Sequence, residues 1–236
     1  MATETDVANI ALGKIGGGGD SDNTSAFITS INGSDKVSQA CKRFFPHCRQ
    51  LVISEMAVLK TPFRETAKFK DLGSELDADV EVGQWEYAFN LPGDFLSMSM
   101  QFDESRMSER HNQNYQYRFD VVANNSQDGY ILLTNDLCNY NDDGEADSAF
   151  IEYAFDLKKT GAWSEGMIDC IATRLAAMLC PIVGQGNEVR RAMMQEYKLV
   201  AIPFAQAYSQ AQSNNSAYTV PNFLGGRNET LRGLTV

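Results

Sequence analysis

Side chains able to do chemistry are sparse in this chain. His47 and His111 are its only histidines. A histidine works as a general base or metal ligand when a second group orients its ring. No motif surrounds either residue, so both read as structural or solvated. The run Gly16-Gly17-Gly18-Gly19 lacks the Gly-Lys-Ser/Thr ending of a phosphate loop and follows a helical pattern instead of a strand. Asn139-Tyr140-Asn141-Asp142-Asp143-Gly144 places oxygen donors at alternating positions with glycine at the sixth, as a calcium loop does. Its twelfth position is Phe150, where such a loop needs a bidentate glutamate. The stretch reads as an acidic turn, and a calcium-dependent binding module stays open as an alternative. There is no nucleophile elbow, no zinc spacing and no persuasive carboxylate pair. The reading is a protein that is not an enzyme, with no catalytic residue, metal or cofactor.

Charge narrows the partners. The chain carries 31 acidic against 20 basic residues, a net charge of −11. Holding a phosphate backbone takes clustered Lys and Arg that displace counterions. Here the bases are scattered, with short groups only at Lys158-Lys159 and Arg190-Arg191. The expectation is an acidic surface that nucleic acid passes without sticking, since like charges repel within a Debye length of about 8 Å. Five cysteines, Cys41, Cys48, Cys138, Cys170 and Cys180, are odd in number and irregular in spacing. That predicts reduced, mostly buried thiols. No apolar run approaches the ~20 residues of a membrane span, and Met1 to Asp6 is polar and acidic, unlike a signal peptide.

The elements follow from period and punctuation. Thr3-Glu4-Thr5-Asp6 resembles a capping box ahead of a short helix at about 5–15, with Ala8, Ala11, Leu12 and Ile15 on one face. Gly16 to Gly19 end that helix. Phe27, Ile28 and Ile31 anchor a polar loop. A long helix at about 34–59, capped by Ser34 or Asp35, shows Val37, Cys41, Phe44, Cys48, Leu51 and Val52 on one face. Pro46 sits inside it and should bend it. From Pro62 the period changes to short runs rich in aromatic and β-branched residues. These predict strands at Ala67–Leu72, Trp85–Phe89, Leu96–Phe102, Tyr115–Val122, Gly129–Thr134 and Ala149–Phe155. Helical spacing returns at 164–180, capped by Ser164, with Ile168, Ile171, Ala172, Leu175, Ala176 and Leu179 in one stripe. A last helix at about 187–211 carries Val189, Met193, Tyr197, Val200, Phe204 and Tyr208 on one face, with a bend expected at Pro203. Residues 213–236 are too polar to fold alone.

The fold class read from this is α+β: a helical bundle with an inserted antiparallel β domain and an extended C-terminal tail. The bundle takes residues 1–61 and 157–212, the β domain 62–156 and the tail 213–236.

The order of these pieces resembles the tail tubular protein A (gp11-like) family of short-tailed bacteriophages, the head-to-tail adaptors. The matching residues are Ala8, Ala11, Leu12 and Ile15 of the opening helix, and Phe45-Pro46 with Arg49 and Leu51 in the second. Trp85 and Tyr87 lead into Leu91-Pro92-Gly93-Asp94-Phe95, like the family's aromatic strand and Leu-Pro-x-Asp element. The alanine-rich helix Ile171–Leu179 precedes one running through Arg190, Tyr197 and Ala205–Tyr208. Where many relatives have Trp-x-Phe-Ala after the second helix, this chain has Glu55-Met56-Ala57-Val58-Leu59.

The resemblance implies a structural virion protein at the head–tail junction, made in the host cytoplasm. It implies a closed ring of twelve copies between the portal protein and the tail nozzle protein, with DNA passing through the centre during ejection and no contact with membrane. Tyr218, Val220, Phe223, Leu224, Arg227 and Arg232 in the tail are the expected portal-docking residues. A tail-borne cell-wall hydrolase is the rival enzymatic class.

Overall fold

Helices and sheets build separate apolar clusters in this chain, seen in a computed structural model that describes residues 2–16, 27–59, 61–73, 84–101, 118–123, 129–135, 139–140 and 146–213. The helices are α1 (Glu4–Lys14), α2 (Lys36–Val58), α3 (Glu165–Leu179), α4 (Asn187–Glu196) and α5 (Ile202–Ser213). A π turn, Tyr197–Ala201, joins the last two into one rod. The strands are β1 (Ala67–Asp71), β2 (Tyr87–Asn90), β3 (Phe95–Gln101), β4 (Phe119–Ala123), β5 (Tyr130–Thr134), β6 (Asn139–Tyr140), β7 (Ala146–Ser148) and β8 (Phe150–Phe155). The α+β class read from the sequence is the class observed.

Local chemistry starts α1, α2 and α3 where the sequence suggests. Thr3 caps α1 in a full capping box: its Oγ1 accepts from Asp6 N–H while its own N–H donates to Asp6 Oδ2 at 2.8 Å. Gly16 then leaves the helix with φ +72°, a left-handed conformation that costs glycine nothing. Asp35, the second of the two capping candidates, accepts from Ser38 N–H, and Ser164 caps α3 through Met167 N–H.

Helix α3 sits at the centre, packed by α1, α2 and the α4–α5 rod. Its buried set exceeds the expected stripe, adding Met167, Cys170, Thr173 and Ala177. A helix apolar on nearly all sides is the signature of a fully enclosed one. In α2 Cys41, Cys48 and Val52 are buried as expected, and the enclosed face extends to Phe45, Arg49, Ile53, Met56 and Ala57, while Phe44 and Leu51 are only partly enclosed. Helical register continues through Pro46. The proline is exposed, so the carbonyl it leaves unbonded lies on the solvent side.

The β segment leaves and returns through paired strands. β8 is central in the sheet β1-β8-β3, and Ala67 to Asp71 pair antiparallel with Ala154 to Phe150. The first and last strands of the excursion are therefore neighbours. A second antiparallel sheet, β2-β5-β4, stacks on it through Phe89, Leu132, Phe95, Met98 and Tyr153. On its other side the first sheet meets α2, and Ala154 and Leu96 join the helical core. β6 and β7 form a small third pair that the pattern did not announce. Tyr115 and the other residues of the fourth expected strand before Arg118 lie outside the described residues.

The last helix departs most from expectation. Its stripe holds through Val189, Met193 and Tyr197, but beyond Tyr197 the buried residues are Ala201, Ile202 and Ala205, whereas Val200 and Phe204 are exposed. Two physical causes act together. Pro203 cannot donate to residue 199 and crowds that carbonyl, and the wide turn just before it absorbs the conflict. Small residues then let the rod approach α3 closely: a Cβ on Gly166 would lie 3.2 Å from Ala205 Cα. A π turn over Tyr197–Ala201 stands just ahead of Pro203, where the sequence led to the expectation of a bend.

Candidate functional site

Three polar clusters tie the elements together. The first centres on Arg49, a buried arginine of α2. Its Nε donates to Asp156 Oδ1 at 2.7 Å and its terminal nitrogen to Asp156 Oδ2 at 2.9 Å, a bidentate fork. The same guanidinium reaches Glu4 Oε1 at 3.4 Å, and Gln50 Nε2 donates to Asp156 at 3.1 Å. One arginine thus joins the start of α1, the middle of α2 and the exit of β8. Burial alone would raise the Asp156 carboxyl, but Arg49 and Gln50 hold it below the ordinary 3.8. Beside this cluster Phe45 stacks on Trp163, ring centroids 5.9 Å apart, and Trp163 Nε1 donates to Leu157 O at 3.0 Å.

The second cluster centres on Asp94 of the Leu91-Pro92-Gly93-Asp94-Phe95 element. Asp94 accepts from Tyr153 Oη at 3.0 Å and pairs with Lys68 Nζ. Lys68 also lies 3.9 Å over the Phe155 ring, a cation–π contact. The Lys68 hydrogen bond leads in lowering the Asp94 carboxyl, while burial and then Asp94 push Tyr153 up to about 12. β1, β3 and β8 are pinned at one corner.

The third cluster sits among the helices. Lys14 at the end of α1 pairs with Asp169 of α3 at 2.9 Å and Glu196 of α4 at 2.7 Å. Burial would lower the Lys14 ammonium, yet its two carboxylates raise it. Buried Tyr197 donates to Glu55 Oε2 of α2 at 2.8 Å, and Arg174 lies 5.1 Å from its ring. Burial, with the bond to Glu55 next, raises the Tyr197 phenol far above its usual range.

The chemistry of these clusters is cohesion. A general acid working near neutral pH needs a carboxyl raised toward that pH, whereas Asp94 and Asp156 are held lower. Cys41, Cys48, Cys170 and Cys180 are free and buried. Burial pushes Cys41 up to about 11 and Cys48 and Cys170 up to about 12, so all three stay as unreactive thiols. His47 is exposed on α2. Among the described residues no three His, Cys, Asp or Glu side chains gather as metal ligands, and no helix is long and apolar enough to cross a membrane. A groove of about 350 Å³ between the sheets is lined by Phe95, Met98, Phe119, Asp120 and Tyr130; Asp120 there accepts from Val121 N–H at 2.8 Å.

The expected portal-docking residues Tyr218, Val220, Phe223, Leu224, Arg227 and Arg232 lie outside the described residues, as do His111, Cys138 and the carboxylates of the Asn139–Gly144 turn. Pro46 is on the solvent side of α2. What the residue pattern missed is the ion-pair framework. Arg49 stood in the Phe45-Pro46 motif, but its partner Asp156 follows more than a hundred residues later, and no local spacing links the two. No family model matches this chain, and no curated protein matches it in sequence.

Proposed function

We propose that this chain is a structural adaptor of a phage virion: a head-to-tail ring, twelve copies around a central DNA passage, seated between portal and tail nozzle. One observation carries the reading. The motif residues that resemble the adaptor family, Phe45, Arg49 and Asp94, each hold separate elements together: Phe45 stacks on Trp163 ahead of α3, Arg49 ties α1 and α2 to the end of β8, and Asp94 pins β1 to β8. A ring under the load of packaged DNA needs such a rigid frame. The net charge of −11 suits a conduit that must not hold DNA. Residues 213–236 act as the portal-docking arm. Their apolar anchors sit in a polar segment that orders on its partner, which consumes roughly 2–5 kcal/mol of the interaction.

The test is electron microscopy of the purified chain, alone and mixed with its portal. Twelvefold rings capping the portal are expected, with deletion of 213–236 abolishing capping. Portals left bare by the full chain would sink the adaptor reading; a truncated chain that still caps them would remove the arm from it.

A further inference from the structure

The rod formed by α4, the π turn and α5 rests on α3 with one side and turns large apolar residues outward with the other. Leu199 is 75% exposed, Val200 58% and Phe204 50%; Pro203 and Ala207 are exposed as well. They fall into two ridges of spacing four, Leu199-Pro203-Ala207 and Val200-Phe204-Tyr208, side by side on one helix face. The Phe204 and Tyr208 rings meet at 6.3 Å, so the face has a set shape. From Leu199 through Gly226 the sequence contains no Asp, Glu, Lys or Arg.

We propose that this outer face, Leu199 to Tyr208, is where a second copy of the chain packs. The occupant follows from charge. Copies that each carry −11 repel wherever acidic surfaces meet, and like-charge juxtaposition costs an interface dearly. This face is charge-free, so identical chains approach there without that penalty. Its composition is that of an interface core, aromatic and aliphatic with charge excluded, and its two ridges suit the grooves of an apposed helix. The proposal rests on the ring reading and supplies one of the ring's contact surfaces; in a ring the face meets a different face of the neighbour, whereas against its own equivalent it would close at two.

The test is analytical ultracentrifugation of the full chain over a concentration series, beside the double variant Leu199→Asp/Phe204→Asp, with melting followed by circular dichroism. Hydrogen exchange of residues 197–208 is followed in the wild type. Expected are wild-type species larger than a dimer, association weakened about tenfold or more in a variant that melts normally, and protection of 197–208 that rises with concentration. A folded variant that assembles like the wild type overturns the proposal and leaves the ring reading standing. A wild-type dimer abolished in the variant upholds the surface and overturns the ring. A wild type that is monomeric throughout, or protection of 197–208 that does not change with concentration, overturns the proposal; this second measurement decides even if the variant fails to fold.

Discussion

Helix α3 and the rod that follows it differ in what they do with apolar side chains. α3 buries Met167, Ile171, Leu175 and Leu179 and is enclosed on nearly every side. The rod buries Tyr197, but beyond that residue it buries only Ala201, Ile202 and Ala205 and leaves Leu199, Val200 and Phe204 in water. Large residues inside make a core by filling volume. Small residues inside let backbones approach, and the large ones displaced outward become a surface for something else. The same chain therefore holds one helix whose apolar residues its own fold encloses and one that keeps an apolar outer face in water.

That contrast can be broken from the inside or the outside. The largest effect is expected at Arg49. Arg49→Met leaves the partly buried Asp156 carboxylate without its guanidinium, and with Gln50 still donating the loss of stability stays below the about 3–5 kcal/mol of a fully buried pair; urea unfolding at neutral pH reads this directly. The same pair predicts acid behaviour. Asp156 and Asp94 have carboxyls held below the ordinary 3.8, so the unfolded chain binds protons first as pH falls. Their contribution to stability is complete above that value and is lost as pH drops through their folded values. Arg49→Met should flatten the acid limb of stability below 3.8, and an acid limb identical to wild type would locate the effect elsewhere.

Next in size is Gly166→Leu, which forces α3 and α5 apart where Ala205 now lies against the glycine. Overpacking of this kind costs about 1–3 kcal/mol, seen as a lower melting temperature. Pro46→Ala acts in the opposite direction. It restores a helical donor at an exposed position of α2, and the melting temperature should rise, by less than the ~3 kcal/mol a mid-helix proline costs, because water already serves the free carbonyl. Smallest of all for stability are Leu199→Asp and Phe204→Asp, expected to shift unfolding by no more than about 0.5 kcal/mol. Inward changes that spare association and outward changes that spare stability would sharpen the contrast; a large loss of stability from Leu199→Asp would erase it.

Local information was legible wherever a residue and its cause lie within a few positions. The capping box at Thr3 and Asp6, the caps at Asp35 and Ser164, the left-handed stop at Gly16 and the switch of period at Pro62 all follow from side chains acting on nearby backbone. Six of the eight strands among the described residues are visible in the same way, as short apolar and aromatic runs. β6 and β7 are not, since two- and three-residue strands are too short to show a period.

What the amino-acid sequence determined by itself is the α+β class, the order of the main elements, the acidic balance and the caps that begin α1, α2 and α3. Tertiary structure alone decided which apolar residues of the last rod face inward, because periodicity reads size and hydrophobicity but not closeness of approach. Gly166 against Ala205 drew the rod in by its alanines and turned Val200 and Phe204 out. It alone decided the ionic framework too, since Arg49 meets Asp156, and Lys68 meets Asp94, only after sheet and helices have packed. Charges far apart in the chain have no preferred distance until the fold supplies one.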